Sequence, residues 1–256
     1  MAGKRVLVVD IDPQANATSG LGINPETVGL SMYDVFMSEF EGFPDTAIQD
    51  IVVHSDSGID IAPSTLDLVG VEPFLYNIEY RSVILRDILK PYKSEYDFIL
   101  IDTPPSMGQF VINGLVAADH TIVTFDRGVF ALNGLNTLLT IFDDIRELVG
   151  EKISLDMAIL TRWDSISEKE RKTGIFSFLS GLRSAKKTDI NKNENALKTF
   201  ESEVRKHFNA VYPVPFSRAI YESQQAGLPI SHFAPDDEAA KVYREIAGEI
   251  MKWGEL

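Results

Sequence analysis

The chain alternates continuous apolar runs with segments of helical periodicity. Five apolar runs of strand length lie along it, and none of them alternates between apolar and polar positions. Such runs are typical of strands that are buried on both faces, as in a parallel sheet. The predicted strands are Lys4–Asp10, Asp97–Asp102, Thr121–Phe125, Leu155–Thr161 and Ala210–Val214.

Between these runs, apolar residues recur at the three- and four-residue spacing of amphipathic helices. Strands alternating with helices predict an α/β fold: a doubly wound, mostly parallel sheet flanked by helices, in three layers. Ligands of such sheets bind at the carboxyl ends of the strands, so the residues after each run are the functional candidates. The predicted helices span 32–40, with Ser31 as the N-cap, and 81–89, 131–148 and 236–251.

A single domain covering residues 1–256 is expected, because a chain of this length with 45% hydrophobic residues can bury one large core. One charged segment, 165–209, interrupts the strand–helix rhythm. It contains an apolar stretch, 174–182, flanked by basic residues, and a polar stretch, 188–195, that is typical of a linker. We interpret 165–209 as an insertion on one face of the domain.

Composition removes several classes of function. The chain has no cysteine, which excludes disulfides, cysteine-ligated zinc and iron–sulfur clusters. Its net charge of −14 repels nucleic acid at long range, so DNA contact requires a local basic patch, and solubility is a blander explanation of the acidity. No apolar run approaches the roughly 20 residues of a membrane span, and no secretory signal is visible. We therefore expect a cytoplasmic protein.

Two carboxylates end the first predicted strand. Asp10 and Asp12 lie in the sequence D-I-D-P-Q-A-N-A-T-S-G-L-G. Acids at the carboxyl end of a strand can hold a ribose, organise the water ligands of Mg²⁺ or activate a water for attack. An isolated D-x-D also occurs in loops where Asp caps the backbone, so this motif alone leaves both interpretations open.

A third acid, Asp102, ends a second apolar run and is followed by T-P-P-S-M-G. An acid in this position is the Walker-B pattern, whose carboxylate reaches Mg²⁺ directly or through water in phosphoryl-transfer enzymes. The two prolines and Gly108 suit a stiff loop with a hinge.

Together these segments resemble the ParA/Soj/MinD family of P-loop ATPases, and its ParA-like branch in particular. V-L-V-V-D-I-D-P-Q-A-N-A-T-S-G-L-G is similar to the motif that follows the family's phosphate-binding helix. Y-D-F-I-L-I-D-T-P-P-S-M-G is similar to its Walker B and switch II. A-L-N-G-L at 131–135, T-R-W-D-S at 161–165 and the closing segments after Val214 resemble further parts of the family. The resemblance covers nearly the whole chain except the insertion.

The resemblance implies a P-loop NTPase fold and roles for the matched residues. Asp12 would be the catalytic residue that aligns the attacking water, and Asp102 would organise Mg²⁺ through water. Gly108 would let switch II move. The implied cofactors are ATP and Mg²⁺. The residues implied to bind them are Asp102, Thr103, Gly108, Arg162 and Pro215, of which the last two lie where the family surrounds the adenine.

One segment of the family is missing from the 256 residues. The family begins with a strand, a K-G-G-x-G-K-[ST] loop and a helix, whereas this sequence contains no G-x-x-x-x-G-K-[ST] anywhere. Without that loop the phosphates lose their backbone N–H donors, and Asp12 and Asp102 face an incomplete site. The first strand is central in the family's sheet, so its absence would uncover an apolar edge. We expect the native protein to begin upstream of Met1.

The main functional hypothesis is an ATP-dependent dimeric switch for chromosome or plasmid partitioning or for intracellular positioning. ATP binding would close a homodimer, and a ParB-like or other partner would stimulate hydrolysis; ATPase activity is conditional on the missing loop. The alternatives are a catalytically inactive scaffold that binds partners, and a MinD-type ATPase that positions the division site. A dinucleotide-binding enzyme is disfavoured because no G-x-G-x-x-G precedes the first strand.

The insertion is the candidate for contact with other macromolecules. Its apolar stretch 174–182 would suit a membrane surface, and a solvated loop is a further interpretation. The C-terminal helix lacks the basic amphipathic tail of a MinD-type anchor, which favours the ParA branch and makes membrane binding unexpected. The candidates for non-specific contact with DNA phosphates are Arg171, Lys172, Arg183, Lys186 and Lys187.

Overall fold

The computed structural model describes residues 3–106, 108–126, 131–150, 153–163 and 187–254. The chain divides into two compact units, each with a sheet of its own. Unit 1 contains Met1–Asp119, Asp144–Ile153 and Arg218–Leu256, and unit 2 contains His120–Asp143 and Ser154–Ser217. The expectation of a single domain stays a prediction.

The sheet of unit 1 has four strands in the order β2-β3-β1-β4. β1 pairs in parallel with both β3 and β4, and β2 pairs antiparallel with β3. The sheet of unit 2 is parallel throughout, in the order β5-β6-β7. The strands are β1 Val6–Asp10, β2 Val53–His54, β3 Asp60–Ala62, β4 Phe98–Asp102, β5 Ile122–Asp126, β6 Met157–Thr161 and β7 Ala210–Pro213.

Helices flank both sheets, which confirms the predicted α/β class. Short 3-10 helices at Pro25–Thr27, Leu66–Val71 and Lys90–Ser94 join some of them. The helices are α1 Asn16–Gly20, α2 Met32–Met37, α3 Ile48–Ile51, α4 Glu72–Leu75, α5 Ile84–Leu89, α6 Gln109–Ala117, α7 Ala131–Val149, α8 Lys187–His207, α9 Arg218–Gln225, α10 Ile230–Phe233 and α11 Glu238–Trp253. Among the described residues, no helix combines the length and the apolarity that crossing a membrane requires.

The predicted N-cap of α2 is confirmed. The Ser31 hydroxyl accepts a hydrogen bond from the Tyr33 backbone N–H at 3.2 Å, and the Asp34 carboxylate accepts one from the Ser31 N–H at 2.9 Å. This reciprocal pair satisfies donors that a helix start leaves unpaired. The helix ends at Met37, three residues earlier than the sequence predicted.

The core of unit 1 lies between its sheet and helices. Leu7 and Val9 of β1 are fully buried, and Phe36 of α2 meets Phe110 of α6 edge to face with ring centroids 5.6 Å apart. At the other side of the sheet, β4 has a strand neighbour on one side only among the described residues, and Leu100 is 41% exposed. Within the described residues, β4 is therefore an edge strand of the unit 1 sheet.

The core of unit 2 is formed by its three strands and by side chains of α7 and α8. Phe200, Val204 and Phe208 of α8 recur at four-residue spacing and are buried against the sheet. The polar stretch 188–195, predicted to be a linker, is instead the first part of α8, so that prediction is wrong. Its Asn, Asp and Thr residues favour turns, but the apolar spacing downstream continues one helix through them.

Two loops of unit 1 touch through glycines. Gly22 follows α1 and Gly227 follows α9, and both have positive φ angles, of 84° and 64°. A Cβ at residue 227 would lie 2.5 Å from the Gly22 Cα, closer than any side chain can approach. The contact ties the loop that follows the D-x-D segment to the C-terminal helices of the same unit.

Candidate functional site

The acids singled out in the sequence meet at the carboxyl ends of neighbouring strands in unit 1. Asp10 of β1 and Asp102 of β4 are register partners, and the Ile11 N–H donates to the Asp102 carbonyl at 2.9 Å. Asp12 follows directly on the same loop. Parallel pairing thus brings the D-x-D motif and the Walker-B acid to one edge of the sheet.

Asp10 organises the loop that carries Asp12. Its carboxylate is fully buried and accepts hydrogen bonds from the Asp12 N–H at 3.1 Å and the Thr18 N–H at 2.9 Å. It also accepts one from the Thr18 hydroxyl at 2.7 Å, and that hydroxyl accepts from the Ser64 N–H at 3.0 Å. The result is a buried chain of hydrogen bonds that joins the end of β1, helix α1 and the loop that follows β3.

Asp12 is held in place but keeps one oxygen available. Its Oδ1 accepts from the Gln14 N–H at 2.9 Å, and its carbonyl accepts from the Ala15 N–H at 2.9 Å. Among the described residues, its Oδ2 makes no hydrogen bond. Asp12 is only 6% exposed, so few water molecules can reach its Oδ2.

The three carboxylates repel one another. Burial, with the neighbouring Asp10 and Asp12 carboxylates, raises the pKa of Asp102 to about 6. Burial also raises the pKa of Asp10, against its hydrogen bonds from Thr18 and Asp12. A cation beside Asp102 would relieve this repulsion.

Magnesium fits this arrangement only in part. Over the described part of the chain, no group of three or more acidic or histidine side chains is arranged to hold a metal ion directly. One carboxylate that reaches a hydrated ion through water is compatible with the geometry, because Mg²⁺ usually keeps several waters. Asp102 is the residue that would hold it.

Asp102 gives the folded state a pH dependence of defined sign. The pKa of Asp102 is 3.8 in the unfolded chain and about 6 in the folded protein. Between these two pH values the folded protein keeps a proton that the unfolded chain has released, so the free energy of unfolding falls as pH rises. In EDTA, Asp102→Asn should therefore be more stable than wild type at pH 7.5 by about 3 kcal/mol, and about equal to it at pH 3. Urea denaturation across this range measures the difference. The exposed Asp56→Asn is the control, and an advantage of Asp102→Asn that does not change with pH would contradict the assignment.

The segment after Asp102 is positioned by α6. A Cβ at Gly114 would lie 2.6 Å from the Thr103 Cγ2, so this glycine lets the helix approach the end of β4. Asn113, also fully buried, accepts from the Leu85 N–H at 3.1 Å and donates to the Arg81 and Gln109 carbonyls. It fixes α6 against the start of α5.

Gly108 begins α6 as its N-cap, with extended backbone at φ −112°. A Cβ there would lie 2.7 Å from the Glu72 Oε1, so the side chain of Glu72 lies against the Gly108 backbone. Met107, next to it, lies outside the described residues. The predicted hinge role of Gly108 stays a prediction.

A depression of about 310 Å³ opens beside Asp12. Its walls come from the D-x-D loop, the helical segment 66–75 and the proline loop after β4. The lining is mixed: two carboxylates, Asp12 and Glu72, share it with polar and apolar side chains in about equal measure. The lining residues are Asp12, Pro13, Gln14, Val69, Glu72, Pro104, Pro105, Ser106 and Phe110.

The two residues assigned to the adenine belong to unit 2. Arg162 follows β6 with a positive φ of 55°, and its Nε donates to the Asp126 Oδ1 of β5 at 2.7 Å. The Thr161 hydroxyl donates to the Phe125 carbonyl at 3.1 Å, so the ends of β5 and β6 are tied together. Pro215 follows β7 and is half-buried. Their role at the adenine stays a prediction.

The candidate DNA contacts cannot be placed. Residues 164–186 lie outside the described residues, which includes Arg171, Lys172, Arg183 and Lys186. Lys187 is the first residue of α8, and its side chain also lies outside them.

Sequence reasoning missed Thr18, Ser64 and Asn113. Each connects segments that are distant in sequence, and such partners become visible only when the fold brings them together. The only signal was that Thr18 follows the D-x-D motif closely, because Ser and Thr near an acid often share its hydrogen bonds.

Comparison with known proteins identifies the class to which this arrangement belongs. A family model described as an AAA domain matches residues 1–155. Sporulation initiation inhibitor protein Soj of Bacillus subtilis (strain 168) is 31% identical over 255 residues, which cover 98% of this chain and 88% of Soj. Chromosome-partitioning ATPase Soj of Treponema pallidum (strain Nichols) is 30% identical over 251 residues, with 98% and 87% covered.

A solved structure agrees in fold. Cobyrinic acid a,c-diamide synthase from Mycobacterium smegmatis, with a bound ATP analog and magnesium, has a TM-score of 0.68 and 24% identity, covering 98% of this chain and 83% of that one. The chain therefore belongs to the ParA/Soj/MinD family of P-loop ATPases. The resemblance predicted from the motifs is confirmed over most of the chain.

Proposed function

We propose that the protein is an ATP-driven switch of the ParA type, which partitions chromosomes or plasmids or positions other cargo. The observation that carries this function is the meeting of Asp10, Asp12 and Asp102 at one edge of the sheet. Two relatives named Soj, one of them described as a chromosome-partitioning ATPase, align with nearly the whole length of this chain.

Each site residue has a defined part in this function. Asp12, with its free Oδ2, orients the water that attacks the terminal phosphate. Asp102 holds hydrated Mg²⁺, which when bound neutralises charge on the phosphates. Thr103 and Gly108 connect Asp102 to α6, so a rearrangement of the site on nucleotide binding or hydrolysis moves this helix. Asp10 keeps the Asp12 loop in one conformation through Thr18.

Phosphate binding needs more than these residues supply. Among the described residues, no Lys or Arg lines the depression beside Asp12. The sequence of 256 residues contains no G-x-x-x-x-G-K-[ST] motif. ATPase function requires that loop in the native protein. A relative without it would act as an inactive scaffold, which is the second candidate function.

Partners follow from the same function. ATP closes a homodimer, and a ParB-like protein stimulates hydrolysis; the basic residues of 171–187 contact DNA non-specifically. Such a switch works in the cytoplasm.

The test is to purify the protein from the cells that make it, determine its N-terminal peptide and intact mass by mass spectrometry, and measure ATP binding by calorimetry with and without Mg²⁺. Mg²⁺-dependent binding by a protein that carries K-G-G-x-G-K-[ST] supports the ATPase. A native protein that starts at Met1 or Ala2 and binds no ATP overturns it and leaves the scaffold.

A further inference from the structure

Hydrogen bonds, and no ion pairs, hold the loop that carries Asp12. The sequence has no Lys or Arg between Arg5 and Arg81, and among the described residues neither Asp10 nor Asp12 has a cationic partner. The Thr18 hydroxyl is the only described side-chain donor to Asp10, at 2.7 Å. Asp10 in turn accepts a hydrogen bond from the Asp12 N–H at 3.1 Å. The position of the Asp12 loop therefore depends on Thr18.

Thr18 is tied to the residues that follow it. It lies in the middle of α1 and is fully buried. Its carbonyl accepts a hydrogen bond from the Ile23 N–H at 3.2 Å, and the Gly22 N–H donates to the Ser19 carbonyl at 3.0 Å. These two bonds close the end of α1. A displacement of Thr18 therefore displaces Gly22 as well.

Gly22 contacts Gly227 through the backbone on both sides. A Cβ at Gly22 would lie 3.1 Å from the Gly227 carbonyl oxygen, and a Cβ at Gly227 would lie 2.5 Å from the Gly22 Cα. A side chain can rotate away from a moving neighbour, whereas two backbone segments in contact cannot. Close-packed contacts of this kind transmit displacement.

Gly227 is bonded to the end of α9. The N–H groups of Ala226, Gly227 and Leu228 each donate to a carbonyl in the last turn of this helix, at 3.0 to 3.1 Å. α9 packs against α10, and α10 packs against α11. Tyr221 on α9 is 62% exposed, so the path from the Asp12 loop reaches the surface of unit 1.

We propose that α9 is the output element of the candidate site. A rearrangement of the Asp12 loop moves α1 through Thr18, and the Gly22–Gly227 contact passes this movement to the end of α9. Packed elements shift between discrete arrangements rather than deform continuously, so a small change at one end is carried to the other. The interpretation of α9 as an output rests on the proposed function, in which nucleotide binding or hydrolysis rearranges the loop.

The same path acts in the opposite direction. A coupling free energy between two places in a protein is reciprocal, so a change at α9 must affect the Asp12 loop as much as the reverse. A molecule that holds α9 in one position would therefore change the conformation of the loop that carries Asp12. The site is open to regulation from this helix.

The test measures amide hydrogen exchange of the full chain by NMR, without nucleotide. Thr18→Val keeps the volume of the side chain and removes its hydroxyl. It should speed exchange at the Ala226, Gly227 and Leu228 amides by at least about tenfold, because the loss of a buried hydrogen bond destabilises the segment that it holds. Thr18→Ser keeps the donor and should show the exchange rates of the wild type.

Tyr92→Phe is the matched control. It also removes one buried hydroxyl from unit 1, which donates to the Gln49 Oε1, and Tyr92 has no part in the path. This variant should leave exchange at residues 226–228 unchanged.

Gly227→Ala tests the path from its other end. The added Cβ displaces Gly22, so exchange at the Gly22 and Ile23 amides should be faster than in Gly58→Ala, where a Cβ meets nothing within 4 Å. Thr18 is intact in this variant, so the comparison decides the proposal even where Thr18→Val does not fold.

Three results would overturn the proposal. The first is an effect of Thr18→Val that stays within residues 10–23. The second is equal acceleration at residues 226–228 by Tyr92→Phe, since a general loss of stability would then account for it. The third is unchanged exchange at Gly22 and Ile23 in Gly227→Ala. Because no nucleotide is present, failure here is separate from failure of the ATPase function.

Discussion

Replacing Asp12 with alanine should stop ATP hydrolysis while leaving ATP bound. The side chain is buried, and its Oδ1 is held by a hydrogen bond from the Gln14 N–H. Its Oδ2 makes no hydrogen bond among the described residues, so it is available to the attacking water. A group in this position acts in the transition state on the attacking water, so its loss lowers the rate and spares substrate binding. The expected loss of kcat is about 10²- to 10⁴-fold.

Single-turnover hydrolysis and binding of a fluorescent ATP analogue, both on the native protein, measure the two quantities separately. Asp56→Ala, which removes an exposed acid of the same unit, is the matched control. If the Asp12→Ala variant lost ATP affinity as much as rate, Asp12 would be a binding residue and its assignment as the water-orienting group would be wrong.

Substituting Gly227 with alanine should cost more stability than the same change at a glycine of unit 1 that also has a positive φ but has open space around an added Cβ. Those glycines are Gly3, Gly42, Gly58 and Gly150. The new Cβ would have to adopt φ 64° and would meet the Gly22 Cα at 2.5 Å, and both atoms belong to the backbone. Left-handed strain and forced displacement of a packed segment together predict a loss of about 2–5 kcal/mol.

Gly58→Ala separates the two causes. Gly58 has a φ of 78°, but a Cβ there meets nothing within 4 Å, so only the conformational strain of about 1–2 kcal/mol applies. Urea denaturation of both variants gives the comparison. Equal losses would mean that the Gly22–Gly227 contact adds nothing and that the loops separate freely.

The fold was largely predictable because its main strands are continuous apolar runs. Val6–Asp10, Phe98–Asp102 and Met157–Thr161 lie within the predicted segments, since burial on both faces leaves a pattern that needs no partner to be recognised. β2 and β3 were not predicted. They are two and three residues long, and their pairing is decided by neighbours rather than by their own sequence.

The acids of the candidate site were predictable from the sequence, but the hydrogen bonds that hold them were not. Asp12 and Asp102 stand at strand ends, where position alone suggests a ligand. Asp10 stands at a strand end as well, but it is fully buried and accepts a hydrogen bond from the Thr18 hydroxyl. That arrangement depends on a hydrogen bond between residues eight apart and another that reaches Ser64, which no local periodicity encodes.

The absence of Lys and Arg between Arg5 and Arg81 also governs how this protein can be cut and labelled. Trypsin cleaves only after those two residue types, so Val6–Arg81 stays one fragment even when the chain is unfolded. β1 to β3 and α1 to α4 all lie in it. Tryptic digestion and lysine-directed cross-linkers therefore report only on the remainder of the chain. A glutamate-specific protease, with cleavage sites from Glu26 to Glu79, is the reagent that detects opening around the D-x-D loop.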